Sequence, residues 1–348
     1  MSDLVWVTGG AGMIGSAVVK VLIDNGRRVL VLDNLSRGRA EFVHPHATLI
    51  GVDLAHPVPY ELLRESPAEI YHLAARVGGV NYITKEQVLN LRNAAIDWNI
   101  MEAALHCGAS LLYCSTACVY PVRLQDEECY AETGSVLLSE DTAACVGAQP
   151  ESIYGWAKLL GELSVTAYCQ ELFKYQRACE HFGRPFKIVR MFNVYGPREV
   201  PSPETGHVIP ALIHKVLCGD PPLEVWGSGR AIRAFTYVDD AAQGILTVMD
   251  AGRSGVPYNI GTPEGVTIAE LAYLILRLLN IPDAESKVRF DESKPEGVFG
   301  RTADISRARK LGWEPKTSLA DGIARTIAWC QRWLSKRGPA ETWGRHET

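Results

Sequence analysis

Residues 4–15 read Leu-Val-Trp-Val-Thr-Gly-Gly-Ala-Gly-Met-Ile-Gly, and this stretch decides the fold. Its apolar first part, Leu4–Thr8, predicts a short buried strand, and apolar residues from Ile14 to Leu22 recur on one helical face. Three glycines at a spacing of three connect these two elements. The stretch therefore predicts a strand, a tight turn and a helix, which together form the opening unit of an α/β fold.

The same pattern recurs along the chain. Further apolar runs typical of buried strands lie at residues 29–32, 49–52, 70–73, 111–114 and 187–191. Amphipathic helical stretches separate most of them, and such alternation is typical of a parallel sheet with helices on both faces. We therefore expect an α/β protein built on a Rossmann-type, doubly wound parallel sheet.

Beyond the last of these runs, prolines divide the chain into shorter elements, which predicts a smaller α/β substrate domain. A later helix and strand are expected to return to the main sheet, so the smaller domain is discontinuous. The main domain is predicted to comprise residues 1–193 and 234–262, the smaller one residues 194–233 and 263–335, and a fraying polar tail residues 336–348.

The composition argues against several classes of protein. The 348 residues are 47% apolar with a net charge of −5, and they contain no basic stripe for a nucleic acid or an anionic membrane. No apolar run has the length of a membrane span and no positively charged signal region opens the chain, so we expect a cytoplasmic protein. The nine cysteines form no Cys-x-x-Cys pair, which argues against a zinc site or a disulfide framework.

The glycine-rich turn predicts a dinucleotide site. Gly9, Gly12 and Gly15 let a pyrophosphate approach the helix N-terminus closely. Asp33 ends the second predicted strand, where a carboxylate accepts hydrogen bonds from ribose hydroxyls and repels a 2′-phosphate, which favours NAD over NADP. Arg37 is near enough in sequence to complicate this preference, or is a solvated loop charge.

Eight further residues are expected to contact the cofactor. Asp53 could bind the adenine amino group, although an ordinary turn aspartate is an equal alternative. The full additional set is Met13, Ile14, Asn34, Asp53, Leu54, Leu73, Ala74 and Ala75.

A tyrosine and a lysine four residues apart predict hydride-transfer chemistry. Tyr154 and Lys158 share one face near the start of a helix. We expect Lys158 to lower the pKa of the Tyr154 phenol, so that the phenol takes a hydroxyl proton while hydride leaves the same carbon. Thr116, at a strand end, can hydrogen-bond the same oxygen. The irregular stretch Cys129–Gln149 predicts a loop over this site.

With these motifs the chain resembles, over nearly its whole length, the extended short-chain dehydrogenase/reductase family of nucleotide-sugar enzymes. The resemblance extends to Asn193–Pro197, Trp226–Arg233 and Tyr237–Asp240. It implies that the main domain binds NAD(P), that the smaller one binds a nucleotide sugar and that Arg233 contacts the diphosphate, since a guanidinium pairs bidentately with phosphate oxygens. A surface arginine is the ordinary alternative at that position.

The segment Ser115–Pro121 separates subfamilies. A 4,6-dehydratase would carry an Asp-Glu pair after the threonine and a uronate decarboxylase a glutamate, whereas Ala117 and Cys118 stand here. The segment instead resembles GDP-mannose 3,5-epimerases and GDP-fucose synthases. The resemblance implies that the substrate contacts Gly78, Gly79, Val80, Cys118, Asn193, His207, Trp226, Arg233 and Lys294.

Two residues are candidates for the inversion chemistry. His207 stands ten residues after Pro197, as in the fucose synthases, where the epimerases usually have a lysine. Oxidation at C4 makes the C3 and C5 protons acidic, and each inversion needs one group to remove a proton and another to deliver one. Cys118 and His207 suit these roles, because thiols and imidazoles titrate on either side of neutral pH. Taken singly, they would be an apolar core residue and a helix-start residue.

The sequence therefore predicts an NAD-dependent GDP-sugar 3,5-epimerase, most simply converting GDP-D-mannose to GDP-L-galactose without net redox change. A GDP-L-fucose synthase using NADPH is the first alternative, which His207 favours and Asp33 opposes. Another nucleotide-sugar epimerase, or a non-catalytic nucleotide-sensing protein, is also compatible. The resemblance further implies a homodimer formed through helices near residues 96–105 and 154–182.

Overall fold

The computed structural model describes residues 3–141, 147–176, 184–203, 206–219 and 222–337. Its strands are β1 (Leu4–Thr8), β2 (Arg28–Asp33), β3 (Thr48–Gly51), β4 (Glu69–His72), β5 (Ser110–Thr116), β6 (Leu137–Leu138), β7 (Phe186–Met191), β8 (Val194–Tyr195), β9 (Leu223–Trp226), β10 (Ile232–Arg233), β11 (Thr236–Tyr237), β12 (Pro257–Ile260), β13 (Val266–Thr267), β14 (Val288–Asp291) and β15 (Gly300–Ala303).

The helices follow the same chain order. They are α1 (Met13–Asp24), α2 (Tyr60–Leu63), α3 (Val80–Lys85), α4 (Gln87–Leu91), α5 (Asn93–Cys107), α6 (Glu127–Thr133), α7 (Ile153–Gln176), α8 (Val208–Cys218), α9 (Val238–Ala251), α10 (Ile268–Leu278), α11 (Ser306–Lys310) and α12 (Leu319–Arg337). A short 3₁₀ turn, Ala117–Val119, directly follows β5.

The main sheet is parallel throughout, with strand order β3-β2-β1-β4-β5-β7-β12. This confirms the predicted doubly wound fold. The order reverses between β1 and β4, and ligands of such sheets bind at the carboxyl ends of the strands beside this switch point. The glycine-rich turn after β1 lies at that point.

Apolar side chains from both faces of the sheet form two separate core clusters. Val5 and Val7 of β1 pack on the face covered by α1 and α9, whereas Trp6 packs on the opposite face with Ile100 of α5. This alternation follows from the two-residue period of a strand. Burial on both faces explains why the central strands are continuously apolar in sequence.

Smaller sheets accompany the main one. Strands β13, β10, β15 and β6 form one sheet, and β11–β8 and β14–β9 form two-stranded ladders. The predicted return of the chain to the main sheet corresponds to α9 and β12. Strand β6, which lies within residues 1–193, pairs instead with β15. The predicted division into two domains therefore stays a prediction. Strand β6 belongs to the predicted main domain in sequence but pairs with β15 of the predicted smaller domain.

Two sequence expectations are wrong in part. The stretch Cys129–Gln149 is not wholly irregular, because it includes most of α6 and all of β6, and residues 142–146 lie outside the described ranges. Helix α6 begins where the Asp126 side chain accepts a hydrogen bond from the Cys129 amide. The tail does not begin at residue 336, because α12 continues to Arg337, which stacks on the Trp333 ring; residues 338–348 lie outside the described chain.

Candidate active site

A cavity of about 470 Å³ lies at the carboxyl ends of the main strands. The turn after β1 lines this cavity, and there Gly9 has φ +68° and a Cβ atom would lie 2.8 Å from the Ala74 amide nitrogen. A Cβ atom on Gly15 would lie 2.1 Å from the Gly9 carbonyl oxygen. A residue with a side chain at position 9 or 15 would therefore clash with the neighbouring backbone. Gly12, the N-cap of α1, has no side chain to accept hydrogen bonds from the amides of the first turn. These amides can therefore bind a pyrophosphate.

Asp33 stands beside this turn, at the end of β2. Its carboxylate accepts hydrogen bonds from the Ala11 amide at 3.0 Å and the Leu35 amide at 2.8 Å. Burial raises the pKa of Asp33, and these two hydrogen bonds oppose that rise. A carboxylate held at this point fits the ribose of NAD.

The predicted cofactor contacts outside the Tyr154–Lys158 pair all line the cavity. They are Gly9, Gly12, Met13, Ile14, Gly15, Asp33, Asn34, Arg37, Asp53, Leu54, Leu73, Ala74 and Ala75. Asp53 also accepts a hydrogen bond from the Ala55 amide. This bond is typical of an ordinary turn aspartate, which was the alternative to an adenine contact at this position. The close glycine approaches and the placed carboxylate fit a dinucleotide cofactor.

Tyr154 lines the same cavity from the first turn of α7 and is 7% exposed. Gly155 lets this helix approach the 3₁₀ turn, since a Cβ atom there would lie 2.4 Å from the Cys118 carbonyl oxygen. Burial raises the pKa of Tyr154 well above its ordinary value, Cys118, Cys114 and Asp97 raise it further, and a hydrogen bond with Thr116 opposes the rise.

The position of Lys158 corrects the sequence expectation. Lys158 is 1% exposed and is not among the described residues that line the cavity. Its ammonium lies 3.4 Å from the Asp97 carboxylate on α5 and 4.1 Å from the centroid of the Tyr113 ring. Burial is the largest cause of the raised pKa of Tyr154, and the Asp97 carboxylate adds to the rise, so the lowering expected from Lys158 does not prevail.

Cys118 lies on the 3₁₀ turn after β5, where the Thr116 hydroxyl accepts a hydrogen bond from the Cys118 amide at 3.2 Å. Arg301 of β15 donates to the Cys118 sulfur at 3.4 Å and to the Glu151 carboxylate at 2.6 Å. Burial alone would lower the pKa of Arg301, but Cys118 and Glu151 hold it above its ordinary value. The thiol therefore faces a buried, paired guanidinium.

His207 immediately precedes α8; its side chain is 41% exposed, and the residue lines the cavity. Its Nδ1 contacts an oxygen of Glu199, which is 6% exposed. The second oxygen of Glu199, Oε2, is buried without a hydrogen-bond partner in the described structure. The imidazole therefore has one ring nitrogen held by a carboxylate.

The predicted substrate contacts lie together with one exception. Gly78, Gly79, Val80, Cys118, Asn193, His207, Trp226 and Arg233 line the cavity. Lys294 is not among the described residues of its wall; its ammonium lies 5.9 Å from the Trp226 ring centroid.

Arg233 faces the cavity with several of its donors already engaged. Its guanidinium donates to the carbonyl oxygens of Ile232 at 2.9 Å and Phe299 at 3.2 Å, among others. Burial, and then the neighbouring Arg301, lower the pKa of Arg233 to about 10. Its assignment as the diphosphate contact stays a prediction.

The sequence did not single out Asp97, Glu151, Glu199 or Arg301. Glu199 lies eight residues before His207 in one proline-rich segment, so proximity could have suggested the pair. Arg301 is 183 residues from Cys118, and no local pattern connects them.

The described residues contain no group of three or more His, Cys, Asp and Glu side chains arranged to hold a metal ion. No helix within the described ranges is long and apolar enough to cross a membrane.

Fold and cavity together define a Rossmann-type dinucleotide-binding enzyme. Residues 5–261 match the NAD dependent epimerase/dehydratase family, and the chain belongs to that family. It is therefore an NAD-dependent enzyme of the nucleotide-sugar epimerase/dehydratase class.

Individual relatives have different activities. "Putative GDP-L-fucose synthase 2" of Oryza sativa subsp. japonica is 33% identical over 92% of this chain and 85% of the relative. UDP-N-acetyl-alpha-D-glucosaminuronate decarboxylase of Bacillus cytotoxicus is 30% identical over 93% of this chain and 96% of the relative. The NAD-bound crystal structure of a dTDP-glucose 4,6-dehydratase variant from Streptomyces venezuelae is 27% identical, covering 96% of this chain and 99% of that one with a TM-score of 0.78.

Proposed function

We propose that this protein is a GDP-sugar 3,5-epimerase that converts GDP-D-mannose to GDP-L-galactose. The observation that carries the proposal is that Cys118 and His207 line the same cavity as Tyr154. Each of the two also has a charged partner: Arg301 for the thiol and Glu199 for the imidazole. A simple 4-epimerase would need neither group.

Bound NAD would supply oxidation at C4 of the sugar and the matching reduction after inversion. Tyr154, hydrogen-bonded with Thr116, would take the C4 hydroxyl proton and later return it. The C4 ketone makes the protons at C3 and C5 acidic, so each carbon can pass through an enolic form.

Cys118 and His207 would divide the two proton transfers. Arg301 donates a hydrogen bond to the Cys118 sulfur, so a charged partner stands beside the sulfur that would remove a proton. Glu199 contacts His207 Nδ1, so the carboxylate orients the imidazole ring that would deliver a proton. One base and one acid in a single cavity is the arrangement that inversion requires.

A GDP-L-fucose synthase is the second candidate. The rice relative at 33% identity favours it, as does a histidine at position 207. That enzyme would invert C3 and C5 of a 4-keto-6-deoxy sugar and then reduce it with NADPH. Asp33 argues against it, because a buried carboxylate at the end of β2 repels a 2′-phosphate.

Product analysis with purified protein separates the two candidates. GDP-mannose without added cofactor should give GDP-L-galactose, detected by NMR, and Tyr154→Phe should abolish the conversion. Consumption of NADPH with the 4-keto-6-deoxy sugar, together with no conversion of GDP-mannose, would reject the epimerase. A strong binding preference for NADPH over NADH would reject it as well.

We also propose a homodimer formed through α5 and α7. These helices pack against each other, yet Trp98, Trp156, Leu160 and Leu163 are each 47–60% exposed. Large apolar side chains left exposed together on two neighbouring helices are typical of an interface. The predicted end of this interface, Phe182, lies outside the described residues.

A further inference from the structure

A buried group of three side chains joins α7 to the ends of β5 and β7. Glu162 of α7 is 5% exposed, and its carboxylate accepts a hydrogen bond from the Ser115 hydroxyl at 2.6 Å. The same carboxylate accepts from Arg190, whose Nε lies 2.9 Å from Oε1 and whose Nη2 lies 2.7 Å from Oε2. These three residues form the Glu162 clamp.

The two partners of Glu162 come from neighbouring strands at the same level. Ser115 of β5 stands directly opposite Arg190 of β7 in the parallel ladder. Both are buried, so their hydrogen bonds to the carboxylate are shielded from competing water. A guanidinium that engages both carboxylate oxygens fixes the direction of the side chain as well as its distance. The clamp therefore fixes where α7 lies relative to two strand ends.

The clamp is close to the candidate proton-transfer residues along the chain. Tyr154 and Glu162 are eight residues apart on α7, which is about two turns, so they share one face of the helix. Ser115 immediately precedes Thr116, whose hydroxyl accepts a hydrogen bond from the Cys118 amide at 3.2 Å. One buried hydrogen bond thus connects the helix of Tyr154 to the strand end that leads into the Cys118 turn.

Arg190 supports the far end of the same 3₁₀ turn. Its guanidinium carbon lies 4.8 Å from the centroid of the Tyr120 ring. Tyr120 is fully buried and directly follows the turn that contains Cys118. Its hydroxyl donates to the Asn259 side-chain oxygen at 2.8 Å, which fixes the ring from the other side. The chain therefore contacts the clamp both before and after the turn.

We propose that Glu162 is a positioning residue for the reaction: through Ser115 and Arg190 it sets the distance between Tyr154 and the Cys118 turn. This inference rests on the proposed function in giving Tyr154 and Cys118 their proton-transfer roles. Glu162 and Arg190 are not among the described residues that line the cavity, so they act through their neighbours. Movement of α7 along the strands would displace the phenol from the thiol, and a displacement of about 1 Å can cost about 100-fold in rate.

The hydrogen bond from Ser115 separates positioning from stability. Breaking the Glu162–Arg190 ion pair would leave a buried charge without its partner, which destabilises the fold whatever the pair does for the reaction. Ser115→Ala leaves that pair in place and removes only the hydroxyl that connects β5 to it. Its main expected effect is therefore on the position of the Cys118 turn.

The first test measures that position without any substrate. Purified wild type and Ser115→Ala would be treated with iodoacetamide, and the alkylation rate of each cysteine followed by mass spectrometry of its peptide. We expect Cys118 to react faster in Ser115→Ala, because the turn has lost one of its anchors. Cys330 is fully buried and should react equally slowly in both proteins, which reports an intact fold. An unchanged Cys118 rate in folded Ser115→Ala would overturn the inference.

The second test measures turnover. Ser115→Ala should lower kcat roughly 10- to 100-fold with little change in the sugar KM. Ser115 itself lines the cavity, so Glu162→Gln and the double variant are needed to show that it acts through Glu162. The losses in kcat should not add in the double variant, because both changes weaken the same hydrogen bond. Additive losses would mean that Ser115 acts directly on a ligand, and would overturn the inference.

Thr326→Val is the matched control. Thr326 is 1% exposed, and its hydroxyl donates to the Gly322 carbonyl oxygen within α12 at 2.7 Å, so the change also removes a buried hydroxyl. It should leave both kcat and the Cys118 alkylation rate at wild-type values. Equal changes in Thr326→Val and Ser115→Ala would overturn the inference, because loss of any buried hydroxyl would then have the same effect.

Glu162→Gln also serves if Ser115→Ala does not fold, and its Cys118 alkylation rate is read in the same way. The alkylation needs no sugar. Failure of the GDP-sugar assignment therefore leaves this result interpretable, and a wild type without turnover on GDP-sugars would contradict the proposed function alone.

Discussion

Gly155→Ala should inactivate the enzyme while leaving its cofactor site intact. A Cβ atom at position 155 would lie 2.4 Å from the Cys118 carbonyl oxygen, whereas ordinary van der Waals contact begins at 3.4 Å. The backbone of the 3₁₀ turn must therefore retreat from α7 by about 1 Å, since protein interiors are close-packed. A displacement of about 1 Å in a reacting group can cost about 100-fold in rate, so kcat should fall by about that factor.

The assay compares three properties of the Gly155→Ala protein with the wild type: kcat on the GDP-sugar, NAD affinity and stability to urea. NAD affinity should be unchanged because the turn after β1 is untouched, and stability should fall by about 1–3 kcal/mol, the usual cost of forcing an extra methyl group into a close-packed interior. Gly51→Ala is the matched control, because a Cβ atom at Gly51 meets nothing within 4 Å. A wild-type kcat in Gly155→Ala would refute the inferred role of the Cys118 turn.

Three further outcomes are expected. Because burial lowers the pKa of His72 in the folded protein, the unfolded chain takes up this proton first as pH falls, so stability present above about pH 6.5 should decline by up to about 1.4 kcal/mol per pH unit below it. Urea unfolding at several pH values should show this decline, and His72→Gln should reduce it. Glu162→Ala should cost about 3–5 kcal/mol in urea unfolding, because the buried Arg190 guanidinium, 2.7 Å from Glu162, would lose its partner; a loss below about 1 kcal/mol would count against this. Leu160→Glu combined with Leu163→Glu should convert the dimer to a monomer in analytical ultracentrifugation, and a monomeric wild type would reject the proposed interface.

Local patterns in the sequence were sufficient to predict the main sheet and the glycine-rich turn after β1 that lines the cavity. The glycines at 9, 12 and 15 and the carboxylate at 33 depend on one strand–turn–helix unit and on the next strand. Their geometry is fixed by neighbours within the same supersecondary element. The position of Tyr154 followed from a four-residue helical spacing with Lys158.

The electrostatic surroundings of the site could not be predicted in this way. Asp97 lies 61 residues before Lys158, and Arg301 lies 183 residues after Cys118. Only the packing of α5 on α7, and of β15 beside the 3₁₀ turn, brings these groups together. The expected lowering of the Tyr154 pKa by Lys158 did not take into account the burial of the phenol, which is the largest cause of its raised pKa, or the Cys118, Cys114 and Asp97 groups that add to the rise.

The roles of Cys118 and His207 are tested most directly by solvent exchange at the sugar. Wild type, Cys118→Ser and His207→Asn would each be incubated in D₂O with GDP-mannose and, separately, with the 4-keto-6-deoxy sugar, and deuterium at C3 and C5 followed by NMR and mass. The two-base mechanism predicts deuterium at both carbons in the wild type with GDP-mannose, and impaired exchange or inversion in each variant. Exchange and epimerisation at the wild-type rate in both variants would contradict the two-base mechanism. A wild type that exchanges deuterium into neither sugar would contradict it as well.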